Sequence, residues 1–250
     1  NFDYIGSAAK LELLNIDETG VSSLSGIEGA PALKLLHAGN NMFTSFPQEI
    51  ASMTNLQVLY LSQNNFDATI PNLSGLTQLE FFACKQCGLY GALPSWIGSL
   101  NSLRYLSLSG NKLSGGIPST LAQVSTLPHL DLSDQAPRGG GLTGNVPSFS
   151  TLQSLSELYL HKNKLSGDIP DDFIASTTVD YVTVDLRRNN IAGTVPRTLV
   201  GRFVDFTLLL AGNKIEEIPS DICDSLPGTW NQGDLIRHGC DGLLCGQGYY

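Results

Sequence analysis

A motif returns every 22 to 28 residues along this chain: Leu-x-x-Leu-x-Leu-x-x-Asn-x-Leu. Its clearest copy is Leu103, Leu106, Leu108, Asn111 and Leu113, followed by Gly115, Ile117 and Pro118. The frame recurs at Leu33/Leu36/Asn41, Leu56/Leu59/Asn64, Leu155/Leu158/Asn163, Tyr181/Val184/Asn189 and Leu208/Leu210/Asn213, with weaker copies beginning at Leu11, Leu79 and Leu127. That predicts nine turns of a solenoid. The x-Leu-x-Leu segment reads as a short strand with alternate side chains inward, and stacked copies build a parallel sheet on the concave side. No single copy can bury its apolar face alone. The asparagine that follows each strand can donate to and accept from turn backbone, so stacked copies predict an asparagine ladder. Thr19 and Cys87 hold that place in two turns and are expected to weaken it locally.

On the opposite side of the turn, Gly91, Gly115, Gly144, Gly167 and Gly193 each stand three residues before Pro94, Pro118, Pro147, Pro170 and Pro196. Proline fixes φ and removes a donor, so the convex side should be extended or 3-10 rather than α-helical. These residues closely resemble the plant-type leucine-rich repeat, Leu-x-x-Leu-x-Leu-x-x-Asn-x-Leu-x-Gly-x-Ile-Pro, from about Leu11 to Pro219. The resemblance implies an α/β-class, right-handed leucine-rich-repeat solenoid with a concave parallel sheet, a 3-10 or extended convex side and about nine repeats plus caps. Plant members of that family include receptor-kinase ectodomains and inhibitors of cell-wall-degrading enzymes, which implies extracellular recognition. Phe46-Pro47 and Ile218-Pro219 keep the proline without the glycine.

Residues 1–10 are expected to form an N-terminal cap or its remnant, 11–219 the solenoid, and 220–250 a cysteine-containing cap, because terminal repeats must cover an exposed apolar cross-section. The absence of an initiating Met and of a charged-then-apolar leader suggests a processed or trimmed segment. From Cys223 to Tyr250, with Gly239-Cys240-Asp241-Gly242-Leu243-Leu244-Cys245 followed by Gly246 and Gly248, the chain resembles the closing segment of secreted leucine-rich-repeat proteins in diatoms and related algae. Cys223 and Cys240 are the preferred disulfide, with Cys245 left for a partner beyond the end or exchanged with Cys240; clustered terminal cysteines suit an oxidising compartment. Cys84 and Cys87 fall on core positions of the frame and are expected to be small buried thiols.

Fourteen basic against 23 acidic residues leave a net charge of −9, which opposes nucleic acid and anionic membrane as partners. The longest apolar run, Thr198 to Ala211, is broken by Arg202 and Asp205, so no membrane insertion is expected. The sequence offers little chemistry of its own, and no cofactor, metal or enzymatic activity is expected. His129, Asp131 and Ser133 are the residue types of a hydrolase triad on one strand face. Neighbours there sit about 6.6 Å apart, too far for a nucleophile-to-base hydrogen bond. His129 and His161 differ by about four residues in height along adjacent strands and cannot share a zinc ion. Asp131 and Asp134 could contribute oxygens to calcium, but no spaced carboxylate motif accompanies them. Asn72-Leu73-Ser74 is a glycosylation sequon on the convex side.

Reading the frame by column assigns the concave surface. The third position runs Leu13, Leu35, Val58, Phe81, Tyr105, His129, Glu157, Thr183, Thr207; the fifth runs Asn15, His37, Tyr60, Ala83, Ser107, Asp131, Tyr159, Asp185, Leu209. The first half is apolar and aromatic, the second polar and charged, including His161, Arg187 and Arg188. Tyr60, Phe81, Tyr105, His129, Asp131, Glu157, Tyr159, His161, Asp185 and Arg187 are the expected ligand-binding residues, since aromatic anchors beside charges make interface hot spots with a polar rim. The expected function is an extracellular recognition or adhesion module for a protein, peptide or glycan; a structural matrix component is the alternative. Leu132 and Leu142 are ten residues apart where a regular turn has five, so residues 133–141 are expected to form a flexible loop on the rim.

Overall fold

The computed structural model describes residues 8–199 and 202–219. The cysteine-containing end with Cys223, Cys240 and Cys245, and most of the expected N-terminal cap, lie outside the described residues. Nine short strands, Leu13–Asn15, Leu35–His37, Val58–Tyr60, Phe81–Ala83, Tyr105–Ser107, His129–Asp131, Glu157–Tyr159, Tyr181–Asp185 and Asp205–Leu209, form one parallel sheet in sequence order. Each third-position residue pairs with its counterpart in the next turn, from Leu13↔Leu35 through Phe81↔Tyr105 and Tyr105↔His129 to Thr183↔Thr207. No α-helix occurs among the described residues. The convex side carries 3-10 turns at Gln48–Ser52, Ser95–Ser99 and Ser119–Gln123, each entered through an extended proline: Pro47, Pro94 and Pro118. Between the two sides, Tyr90–Ala92, Lys112–Gly115 and Gly141–Leu142 pair in a second small parallel sheet.

The core is continuous from turn to turn, as expected where no unit closes its own apolar face. In the turn from Leu103, the side chains of Leu103, Leu106, Leu108 and Leu113 are 0% exposed. Phenylalanines fill wider gaps: Phe46 packs on Phe66 at 5.2 Å between ring centroids, and Phe149 meets Phe173 edge-on at 6.0 Å.

The ladder is present and follows one rule. Asn111 Nδ2 donates to the carbonyls of Cys84 and Leu108, both at 2.7 Å, while Oδ1 accepts from the Cys87 and Leu89 amides. Asn64, Asn163, Asn189 and Asn213 repeat the arrangement. Thr19 substitutes partially, its hydroxyl donating to the Ile16 carbonyl. Where Cys87 stands, the backbone takes over: the Phe66 amide donates to the Cys87 carbonyl at 2.8 Å. The sequence reading overlooked Gln135, which occupies the ladder place of the irregular turn, is 0% exposed, donates to Leu108 and Ser133 and accepts from the Leu113 amide. Gln135 thereby anchors the long turn. Residues 136–138 form a 3-10 turn, Gly140 N–H donates to the Gln135 carbonyl, and Gly141–Leu142 rejoins the small sheet. The expected free-standing loop is therefore tied back at both ends.

Cys84 and Cys87 correct a second expectation. They are joined by a disulfide rather than left as thiols. The chain folds back just after the Phe81–Ala83 strand and brings their Cα atoms within 5.6 Å, a separation suited to bridging. Both remain fully buried. Asn72 is exposed and accepts from the Ser74 amide in a local turn. Among the described residues no helix is long and apolar enough to cross a membrane.

Candidate functional site

Parallel pairing holds neighbouring strands about 4.8 Å apart, so equal positions in adjacent turns must touch if their side chains are flat. Phe81, Tyr105 and His129 do so. Their rings stack in succession at 4.2 Å and 9°, then 4.2 Å and 6°. Tyr159 tilts against His129 at 5.6 Å and meets His161 edge-on at 6.5 Å, carrying the row across the sheet. Tyr60 lies one column away, packed on His37 at 5.8 Å rather than on the stack. Its ring needs Gly39 beneath it: a Cβ there would approach Tyr60 Cε1 to 2.3 Å. Phe81, Tyr105, His129 and Tyr159 are all partly exposed, so the row forms a solvent-facing aromatic surface.

Charged groups border this row. His129 Nδ1 lies 2.5 Å from Glu157 Oε2, and His161 stands 3.2 Å from Asp185 Oδ2 and 3.6 Å from Asp134 Oδ2. Arg187 grips Asp185 with two parallel hydrogen bonds, Nε to Oδ1 at 2.9 Å and Nη2 to Oδ2 at 2.6 Å. Those bonds hold the guanidinium above its ordinary titration range against the opposing effect of burial. Burial raises the Tyr159 phenol, and the carboxylates of Glu157, Asp131 and Asp185 raise it further.

Two expected contact residues are corrected in role. Asp131 and Asp185 are 8% and 2% exposed, so neither presents its carboxylate to a ligand. The strand alternation is right, but the short side chains of the fifth column, Ala83, Ser107, Asp131 and Asp185, are buried, while its longer rings such as Tyr159 reach solvent. Asp185 instead fixes Arg187. Asp131 accepts from Ser133 Oγ at 2.6 Å, the Ser133 amide at 3.1 Å and Ser107 Oγ at 2.9 Å. These contacts also separate the three triad residue types. Ser133 bonds Asp131, while His129 bonds Glu157. Among the described residues no group of three or more histidines, cysteines and carboxylates could hold a metal ion.

Burial works to raise the Asp131 carboxyl, yet the hydrogen bonds from Ser133, Ser109 and Ser107 outweigh it and bring it below its ordinary 3.8. A depressed folded value means stability that is complete above the unfolded value and lost as pH falls through the folded one. The gap in unfolding midpoint between the parent and Asp131→Asn is therefore expected to shrink as urea titrations move from pH 5 to pH 2.5. A gap constant over that range would show that Asp131 does not titrate in this way.

Lys85 is a site residue that the sequence reading missed. Its ammonium lies 5.8 Å from the Tyr105 ring centroid and 3.8 Å from Asp131 Oδ2. Burial pulls it down, but the Tyr105 hydroxyl and the Asp131 charge more than compensate, so it titrates above 10.5. The signal was present in the seventh position of the frame, where Lys85, Ser109, Ser133, His161 and Arg187 follow one another.

Comparison with known proteins agrees with this fold. The family model described as Leucine Rich Repeat matches residues 55–76, 102–124 and 154–175. The receptor-like kinase TMK2 of Arabidopsis thaliana is 31% identical over 200 residues, which is 77% of this chain and 22% of that protein. The solved ectodomain of the Arabidopsis receptor kinase HAESA, in complex with an N-terminally extended IDA peptide hormone, is 27% identical at a TM-score of 0.72, covering 84% of this chain and 35% of that one. The ectodomain of the Arabidopsis receptor kinase GASSHO1/SCHENGEN3 superposes at a TM-score of 0.80 with 24% identity, covering 91% of this chain and 27% of that one; it supports the fold alone. The chain spans about a fifth of the length of the first curated relatives it matches. Repeat, sheet, ladder and relatives agree that the chain is built of leucine-rich repeats of the plant type.

Proposed function

We propose that this chain is an extracellular recognition module that binds a peptide or protein segment along its concave face. The observation that carries the reading is the ring row of Phe81, Tyr105 and His129, continued by Tyr159 and His161 and bordered by Lys85, Glu157 and Arg187. Flat rings supply contact area at low entropic cost, and the flanking charges set register and approach. The solved HAESA ectodomain is in complex with a peptide hormone, and its match covers most of this chain. The Cys84–Cys87 disulfide suits an oxidising compartment.

Selection of a displayed random-peptide library on the folded chain supplies a test ligand. Tyr105→Ala and Phe81→Ala are expected to weaken the selected peptide by about 30-fold, the equivalent of a 2 kcal/mol hot spot. Arg187→Glu is expected to act mainly on association rate and salt dependence. Should all three folded variants bind as tightly as the parent, the concave face is not the site. Enrichment on a glycan array with no peptide enriched would favour a glycan ligand. Weak multivalent self-association alone would favour the matrix role.

A further inference from the structure

The rim beside the sheet carries a second site. The eighth position of each turn, just before the ladder residue, adopts the left-handed backbone region, with φ of 59° at Asp134, 54° at Lys162 and 55° at Arg188. Parallel stacking therefore sets these three side chains in a row along one rim. The long turn adds its 3-10 segment, Ala136–Arg138, against that row. Asp134, Ala136, Pro137, Arg138, Lys162 and Arg188 line a single open pocket of about 560 Å³.

Three cations converging in a chain of net charge −9 require a reason. Asp134 Oδ1 lies 2.8 Å from Lys162 Nζ, so that pair is close to neutral. Arg138 and Arg188 have no carboxylate within 4.0 Å among the described residues. Among the described residues, the two guanidinium groups that line the pocket thus have no carboxylate partner. We propose that it binds a phosphate-type dianion, as the free ion or as a phosphomonoester. A phosphomonoester carries about −1.5 to −2 at neutral pH and presents three acceptor oxygens to the forked donors of arginine. A carboxylate or a sulfate monoester would leave one charge unmatched. The pocket is roomier than a tetrahedral oxyanion, which leaves space for the organic part of an ester. The site borders the concave-face row through the Asp134–His161 pair, while Phe81, Tyr105 and His129 line no part of it.

Calorimetric titration of the whole chain at pH 7.5 with inorganic phosphate, phenyl phosphate and methyl sulfate tests the assignment. A phosphate probe is expected to bind at least tenfold more tightly than methyl sulfate. Arg138→Ala and Arg188→Asn should each weaken it at least tenfold. Asp134→Asn should tighten it several-fold by releasing Lys162, and asparagine accepts the left-handed backbone there. A gain of affinity cannot arise from misfolding. Arg104→Ala, an exposed cation elsewhere, should change nothing. Phenyl phosphate binding more tightly than phosphate identifies an ester, and equal binding identifies the free ion. The proposal is overturned if neither phosphate probe binds, if methyl sulfate binds equally well, or if both arginine variants stay within threefold of the parent.

Discussion

Phe82→Ala is expected to lower the unfolding free energy by about 3–5 kcal/mol, the range for truncating a fully buried phenylalanine. Phe82 takes the fourth position of its turn, where most other turns carry leucine, and is 0% exposed in the fourth strand of the nine-stranded sheet. Each turn rests only on its neighbours, so the cavity cannot be relieved by distant rearrangement. Phe82→Leu restores the residue that the frame uses elsewhere and should cost roughly 1 kcal/mol. Urea unfolding followed by circular dichroism compares the two. Equal midpoints for the alanine and leucine variants would mean that the Phe82 side chain does not fill the core as described.

Asn111→Ala should cost about 3 kcal/mol, the upper part of the range for leaving buried backbone groups without partners. The side chain, 0% exposed, satisfies the Cys84 and Leu108 carbonyls and the Cys87 and Leu89 amides together. The adjacent turn cannot compensate, because its ladder place is held by the bridged Cys87. Asn213→Ala offers the comparison. Asn213 makes the same kinds of bonds in the turn of the last described strand, where they are only partly buried and water can replace them. Its loss should be clearly smaller. A cost at Asn213 equal to that at Asn111 would show that burial of the ladder does not set its contribution.

The turn, its period and its stacking register are all written in the one-dimensional pattern of residues. A residue in a parallel solenoid meets its own counterpart one repeat away, so a one-dimensional pattern specifies pairs such as Phe81↔Tyr105 directly. The aromatic row followed from that register, down to a ring spacing near the strand spacing. Which polar groups remain available depends instead on packing between turns. Asp131 and Asp185 alternate outward like Phe81, yet hydroxyls of Ser107 and Ser133 and the fork of Arg187 enclose them. That packing also decides how irregular turns repair themselves. Gln135 reaches across 27 residues to Leu108, and the chain after the Phe81–Ala83 strand brings Cys84 and Cys87 together. The cationic rim pocket depends on the course of the long turn over the Lys162 and Arg188 row. Repetition writes every regular contact into the sequence, whereas each departure from it is settled by the turns packed above and below.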